Sequence, residues 1–245
     1  MIKWFSDFSG KKLDPLDFTV LKTDMHSHLI PSIDDGSQNE EESIQILSEL
    51  KKLGFSKIIT TPHTMSDYYK NTPEIIKRGE NGVIKELKRT DLEIEFDSAS
   101  EYYVDYDFRQ QIDKDRFLTF GSKYLLIEFP FLEEPKDIDD IIFQLQLSGY
   151  NIVLAHPERY LYYTIKDLKK FTDKEVLLQL NLLSITGYYS DKVRKNAENL
   201  IKEDLISFVG TDCHNMNQAK KLRECFTNPL WHKLSQSERL LNNTL

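Results

Sequence analysis

The chain has 245 residues, 40% of them hydrophobic and 29% charged, a globular composition long enough for one sizeable core, and a single α/β barrel is an ordinary outcome at this length. Its 32 Lys and Arg against 40 Asp and Glu leave a net charge of −8, which excludes holding nucleic acid on a broad basic surface; an anionic substrate needs a local positive site instead. Cys213 and Cys225, without CxxC spacing, exclude a disulfide framework and a thiolate zinc site, and with no signal-like segment and no long apolar run the expected location is the cytoplasm, without membrane insertion.

Residues 1–20 form a polar opening, read as an N-terminal extension tied to the fold by Phe5, Phe8, Leu16 and Phe18, and 21–245 as one domain. Seven units then alternate a short apolar run with an amphipathic segment. The first run, Phe18 to Met25, ends in His-Ser-His before a loop with Pro31 and Gly36. Ser37, three residues before Glu40, predicts a capping box, and Ile44, Leu47, Leu50 and Leu53 recur at helical spacing up to Gly54. Further strands are expected at Lys57–Thr61, Leu92–Ser100, Tyr124–Phe129, Asn151–Ala155, Val176–Asn181 and Ile206–Gly210. Helices fall between them, for example at Pro73–Arg89, Ile138–Leu147 and Asp191–Glu203. Strict alternation predicts parallel strands joined by crossover helices. Periodicity does not separate an open sheet from a barrel, but seven units without a Gly-rich phosphate loop favour the barrel, whose active groups gather at the C-terminal strand ends.

Of the 6 histidines, all but His232 lie at or just past a predicted strand end: His26, His28, His63, His156 and His214. Asp24, His26 and His28 share one side of an extended segment because side chains alternate, with Asp24 either a ligand or the carboxylate that fixes an imidazole tautomer. Thr61-Pro62-His63 and Ala155-His156-Pro157 repeat a strand, His and Pro pattern, and Asp212 and His214 again stand two apart. Glu101 follows small residues and Glu128 closes an apolar run, where a carboxylate is costly unless paired or bound to metal. Asp34 and Asp35 add acceptors after the first His pair. Each residue alone reads as an ordinary polar strand tip, but together they form a nitrogen and oxygen donor set suited to Mn²⁺, Fe²⁺ or Zn²⁺ and too large for one ion.

The motifs DMHSH with the following IPSIDDG, TPHT, SEYY around Glu101, LIEFP around Glu128, AHPERY and GTDCHN resemble, in order, those of the PHP (polymerase and histidinol phosphatase) superfamily. Within it they are most similar to the capsule- and exopolysaccharide-locus protein-tyrosine phosphatases of bacteria. The resemblance implies a distorted (β/α)7 TIM-like barrel, the PHP fold, and two or three divalent ions, Mn first, with Fe and Zn as alternatives. His26, His28, Glu101 and Asp212 would hold the first ion. Glu101 would bridge to a second, shared with Glu128 and His156, and Asp35, His63 and His214 would hold a third. The implied activity is hydrolysis of phosphotyrosine by a metal-bridging hydroxide, with Arg159 gripping the phosphate and His156 and Asp212 also catalytic. The implied partner is a phosphotyrosine protein, a bacterial tyrosine kinase of capsule or exopolysaccharide synthesis.

One departure is Ala219, where the family often carries another Arg; Lys220, Lys221 and Arg223 stand close by. A Cys-dependent phosphatase is excluded, since the positions six after Cys213 and Cys225, where its Arg belongs, are Ala219 and Trp231. Two other readings stay open: a small-molecule phosphatase of the histidinol-phosphate type, which would share the whole metal site, and a non-catalytic metal-cluster scaffold. Arg159 argues against the scaffold, although a surface salt bridge with Glu158 would also account for it. The pairs Tyr68-Tyr69, Tyr102-Tyr103 and Tyr188-Tyr189 offer aromatic surface to a phenyl ring, or are ordinary rim and core aromatics.

Overall fold

The computed structural model describes residues 13–112, 114 and 117–245; Phe5 and Phe8 lie outside them. The chain begins with β1 (Thr23–Asp24), α1 (Glu40–Lys52), β2 (Lys57–Thr60), β3 (His63–Thr64) and α2 (Pro73–Arg89). β4 (Glu95–Ser98), β5 (Glu101–Tyr103), α3 (Tyr106–Ile112), β6 (Tyr124–Glu128), α4 (Ile138–Leu147) and β7 (Asn151–Ala155) follow. The last third holds α5 (Ile165–Asp173), β8 (Leu177–Asn181), α6 (Asp191–Lys202), β9 (Ile206–Gly210), α7 (Met216–Lys221) and α8 (Pro229–Leu234). Among the described residues no helix is long and apolar enough to cross a membrane.

Every strand pairing is parallel, in the orders β1-β2-β4 and β3-β5-β6-β7-β8-β9. Two expected strands are each broken in the middle. Pro62 has no N–H to continue the ladder, so β2 stops and the chain resumes as β3; Ala99 and Ser100 likewise separate β4 from β5. Counted with those breaks, seven strand segments follow one another around a distorted (β/α)7 barrel. Where the last strand meets the first there is no ladder. Instead a single bridge joins Ser27 to Cys213, with Asp212 N–H donating to the His26 carbonyl and His28 N–H to that of Cys213.

Alternation along the strands separates two cores. Met25, Ile59, Ala99, Leu126, Val153, Ala155 and Phe208 fill the barrel interior, while Leu125, Ile127, Ile152 and Leu154 face the helices. In β8 the inward set changes character along the strand: Leu177 packs against the interior core, whereas Gln179 and Asn181 are buried among polar groups nearer the C-terminal end. The C-terminal segment supports the first and last strands, with buried Asn242 accepting from Val209 N–H and donating to the Thr23 and Val209 carbonyls.

The capping box expected at Ser37 is not formed. Ser37 N–H donates to the His28 carbonyl and its hydroxyl pairs with Ser43 Oγ, so that residue fastens the first His loop, and Asn39 caps α1 instead by accepting from Glu42 N–H. Phe18 is fully buried, stacked on Phe55 and edge-on to Trp231, and Trp231 Nε1–H donates to the Leu16 carbonyl.

Candidate metal centre

The nine donor residues expected from the sequence converge on the C-terminal mouth of the barrel, delivered by the segments following β1, β2, β4, β6, β7 and β9. His26 Nε2 lies 3.3 Å from His28 Nε2, 3.3 Å from Glu101 Oε2 and 3.4 Å from Asp212 Oδ1. His28 Nε2 lies 3.5 Å from the same Glu101 oxygen and 3.4 Å from that of Asp212. Ligands placed about 2.1 Å from a tetrahedral ion are separated by about 3.4 Å, and these five separations are near that value; His26, His28 and Glu101 form one candidate metal group, while Asp212 falls in another with His26 and His156. Hydrogen bonding does not account for the spacing: at most one proton fits between two imidazole nitrogens, and Glu101 Oε2 is buried with no hydrogen-bond partner.

Two further groups adjoin the first. His156 Nε2 is 3.1 Å from Glu101 Oε1 and 3.4 Å from Glu128 Oε1. Asp35 Oδ1, on a half-exposed side chain, is 3.6 Å from His63 Nε2 and 3.5 Å from His214 Nε2. His63 stands between these groups, because its Nδ1 also lies 3.0 Å from Glu101 Oε2 without the geometry of a hydrogen bond. Register explains this closeness, since β3 and β5 place His63 directly opposite Glu101.

Surrounding residues set the tautomers. His26 Nδ1–H donates to Gln179 Oε1 at 2.9 Å, and His28 Nδ1–H donates to Asp34 Oδ2 at 2.8 Å, so each Nε2 turns its lone pair inward. Asp34 also accepts from the backbone N–H of His63 and of Gly36, tying three segments to one carboxylate. His214 Nδ1–H donates to the Asp212 carbonyl at 2.9 Å. Gln179 continues inward, donating to Asn181 Oδ1, and Asn181 donates to Asp212 Oδ2 at 2.6 Å. Asp24 supports neither imidazole ring. It accepts from the N–H and hydroxyl of Thr211, and Gln179 occupies the role expected for it; burial pushes its pKa up to about 6. Gln179 and Asn181 were not singled out from the sequence, although two polar residues at alternate positions of an otherwise apolar strand are a readable signal.

Without ions, protons balance the cluster. Burial opposes charge on His26, yet Glu101 and Asp212 raise its pKa to about 9, and Glu101 does the same for His63, to about 10. Those cations hold Glu101 and Asp212 well below the usual carboxylate range in spite of burial. The hydrogen bond from His214 brings Asp35 down to about 2. Burial and then Glu101 push Glu128 up to about 8, whereas burial and then Arg159 bring His156 down to about 4. Such mutual perturbation by buried donors suits a site whose protons give way to cations.

A cleft of about 540 Å³ opens over the cluster. Arg159 donates from Nη1 to Asp212 Oδ2 at 3.2 Å, and its guanidinium is held between Phe131, 4.5 Å from the ring centroid, and Tyr189, at 4.7 Å. Glu158 does not pair with it. That carboxylate is buried, accepting from Asn181 N–H and Ser184 Oγ–H, and burial pushes it up to about 7. Tyr68, Tyr69, Tyr103 and Tyr189 line the cleft, Tyr69 stacked on His63, whereas Tyr102 is core. On the side of Ala219 the lining residues are Asn215 and Gln218; Arg223 turns away to Glu49, and neither it nor Lys220 nor Lys221 is among the described lining residues.

The profile of the capsular polysaccharide synthesis family CpsB/CapC matches residues 22–238. The tyrosine-protein phosphatase YwqE of Bacillus subtilis is 30% identical over 198 residues, covering 79% of this chain and 77% of that protein. CpsB of Streptococcus agalactiae, also a tyrosine-protein phosphatase, is 27% identical over 202 residues, covering 79% and 83%. The crystal structures of YwqE and of CpsB from Streptococcus pneumoniae, described as unique metal-dependent tyrosine phosphatases, include a chain that matches with a TM-score of 0.76 at 29% identity, over 90% of this chain and 94% of that one. A phosphotriesterase homology protein from Escherichia coli shares the fold alone, with a TM-score of 0.55 at 12% identity over 94% of this chain and 99% of the other.

Proposed function

The chain belongs to the CpsB/CapC capsular polysaccharide synthesis family, and from that premise we propose how it works as a metal-dependent protein-tyrosine phosphatase. The observation that carries the reading is the close, metal-like spacing of His26 and His28 to each other and to Glu101 and Asp212 beneath a cleft that Arg159 overlooks. His26, His28, Glu101 and Asp212 would hold one ion, with Glu101, Glu128 and His156, and Asp35, His63 and His214, offered to a second and third. Bound there, divalent ions would make water acidic enough to attack and would draw charge from the phosphoryl oxygens. The donor set admits Mn²⁺, our first choice, and also Fe²⁺ and Zn²⁺.

The chain's own residues supply the rest. Arg159 spends one N–H on Asp212 and keeps further in-plane donors for phosphoryl oxygens, its plane set by Phe131 and Tyr189. Tyr69, Tyr103 and Phe131 offer apolar surface to a phenyl ring. His156, whose Nε2 faces Glu101 and Glu128, would act as a metal donor rather than a proton source. Relatives named as tyrosine-protein phosphatases support an aryl phosphate over the histidinol-phosphate type, and the stacked Arg159 supports catalysis over a scaffold. The family supports a phosphorylated tyrosine kinase of capsule or exopolysaccharide synthesis as the substrate and the cytoplasm as the place. The burial of Phe18 supports reading residues 13–20 as packed on the barrel; residues 1–12 of the expected extension lie outside the described residues.

The test is phosphate release from a phosphotyrosyl peptide and from histidinol phosphate, with Mn²⁺ and then with chelator. Metal-dependent release favouring the peptide is expected. Preference for histidinol phosphate would reverse the substrate assignment, and silence on both with metal bound would leave a scaffold.

A further inference from the structure

The cleft over the cluster is furnished unevenly. From the segment after β7, Arg159 brings a guanidinium braced by Phe131 and Tyr189. From the segment after β9, with β8 between the two, no Lys or Arg lines the cleft among the described residues; Arg223 pairs with Glu49 and Lys221 with Glu224. Beside His214 the lining there is a pair of half-buried side-chain amides, Asn215 and Gln218.

Both amides are oriented by the backbone. Asn215 Oδ1 accepts from Gln218 N–H at 3.1 Å, and Gln218 Oε1 accepts from His214 N–H at 2.7 Å. A backbone N–H can only donate, so each amide presents its oxygen to the chain and turns its NH₂ away. Among the described residues neither Asn215 Nδ2 nor Gln218 Nε2 has an acceptor, which leaves both NH₂ groups to an occupant of the cleft. Gln218 is moreover bonded to the backbone of His214, whose Nε2 lies 3.5 Å from Asp35 Oδ1 in one of the candidate metal groups. That adjacency favours an oxygen held at the ions over a carbonyl farther along a substrate polypeptide. We propose that Asn215 and Gln218 are catalytic residues, their NH₂ groups donating to phosphoryl oxygens of the substrate that Arg159 grips from the other segment. The inference rests on the phosphatase reading above and adds to it an uncharged half of the phosphoryl grip.

The experiment compares wild type with Asn215→Asp and Gln218→Glu, each of which keeps the acceptor for its backbone N–H and replaces only the NH₂ by oxygen. Asn217→Asp, at an exposed position outside the lining, controls for added charge. The quantities read are kcat/KM on p-nitrophenyl phosphate and on a phosphotyrosyl peptide, calorimetric affinity of the Mn²⁺-loaded protein for inorganic phosphate, and affinity of the stripped protein for Mn²⁺. In both variants turnover of both substrates and phosphate affinity are expected to fall about 10–100-fold, the scale of one hydrogen bond to a charged group. Mn²⁺ affinity should be no weaker than wild type, and Asn217→Asp should be unchanged. Gln218→Met, which adds no charge, should lose phosphate affinity as well, and covers the case in which an added carboxylate upsets folding. Wild-type turnover and phosphate affinity in the variants overturn the assignment. Loss confined to the peptide also overturns it, giving the amides to the substrate polypeptide, as does an equal loss in Asn217→Asp. A fall in Mn²⁺ affinity that accounts for the lost turnover overturns it too, leaving the amides as props of His214. No turnover of p-nitrophenyl phosphate by Mn²⁺-loaded wild type overturns the phosphatase reading itself, whereas the phosphate titration tests the amides independently of turnover.

Discussion

Replacing Gln179 by leucine removes the group that joins three parts of the centre. Its Oε1 accepts from His26 Nδ1 at 2.9 Å and from His156 N–H at 3.2 Å, and its Nε2 donates to Asn181 Oδ1 at 2.9 Å. Leucine has nearly the same volume, so little cavity opens, but all three partners are buried and lose their bonds. A buried orphan costs about 1–3 kcal/mol, and with one of the three relieved by relaxation the loss is about 2–6 kcal/mol. For a chain of this size that lowers Tm by roughly 5–20 °C. His26 also loses the bond that fixes its tautomer, and removing such a support typically weakens metal binding about 10–100-fold. Calorimetric titration of the stripped protein with Mn²⁺, beside a thermal melt, reads both quantities. Gln179→Glu keeps the two acceptor roles, although it turns an oxygen toward Asn181 Oδ1 and adds a buried charge, so its metal affinity should fall less even where its stability falls. Wild-type affinity and melting in Gln179→Leu would refute the idea that β8 sets the first ligand.

Three other perturbations probe different links. Arg159→Lys keeps a cation but loses the planar fork and its stacking on Phe131 and Tyr189, so kcat on an aryl phosphate should drop about 10²–10³-fold with Tm little changed; unchanged kinetics would remove Arg159 from the machinery. In the metal-free protein, His26 and His63 have pKa values raised to about 9 and about 10. Their charged pairs therefore stabilise fully below about pH 6.5 and lose that contribution as pH rises through the folded values, so Tm of the stripped protein should decline across that alkaline window. Metal addition at pH 7.5 should release about two to three protons, from His26, His63 and Glu128, read from titration enthalpies in buffers of different ionisation heat, and no buffer dependence would contradict the proton balance. At Gly210 an added Cβ would lie 2.6 Å from His26 Cβ and 3.0 Å from Gln179 Nε2, so Gly210→Ala should cost about 1–3 kcal/mol and weaken metal binding, while a mutant as stable and as tight as wild type would show that His26 has room to shift.

The histidines were legible because strand periodicity and proline punctuation act locally: His26 and His28 share a side by alternation, and Pro62 and Pro157 mark where a ladder ends. What lay beyond the sequence depends on neighbours distant along the chain. Asp24 is adjacent in sequence to the first His pair, yet Thr211, brought beside it by the approach of the last strand to the first, takes both of its oxygens. The role expected for Asp24 then falls to Gln179, 153 residues from His26. Ser37 had the right spacing for a cap, but closing the His28 loop took its N–H and its hydroxyl, so the helix begins from Asn39. Phe131 gave no signal, because an aromatic after a strand gains its role only when Arg159 arrives from the next strand's end.

The irregularities of the barrel also gather where the donor residues are. Pro62 interrupts the second segment and Ala99 and Ser100 the third, and each resumes in the other sheet with His63 opposite Glu101. His156 and Asp212 adopt left-handed backbone, with φ of 32° and 49°, a conformation that costs a non-glycine residue about 1–3 kcal/mol unless its surroundings enforce it. The surroundings do: His156 N–H donates to Gln179, Asp212 N–H donates to the His26 carbonyl, and Asn181 and Arg159 both hold Asp212 Oδ2. Gln179 and Asn181 thus support the two strained donor residues as well as His26. A regular parallel ladder would leave both residues in extended backbone and direct successive side chains to opposite faces, so the bends that disturb the barrel's closure are also what turn donors from separate strands toward a common centre.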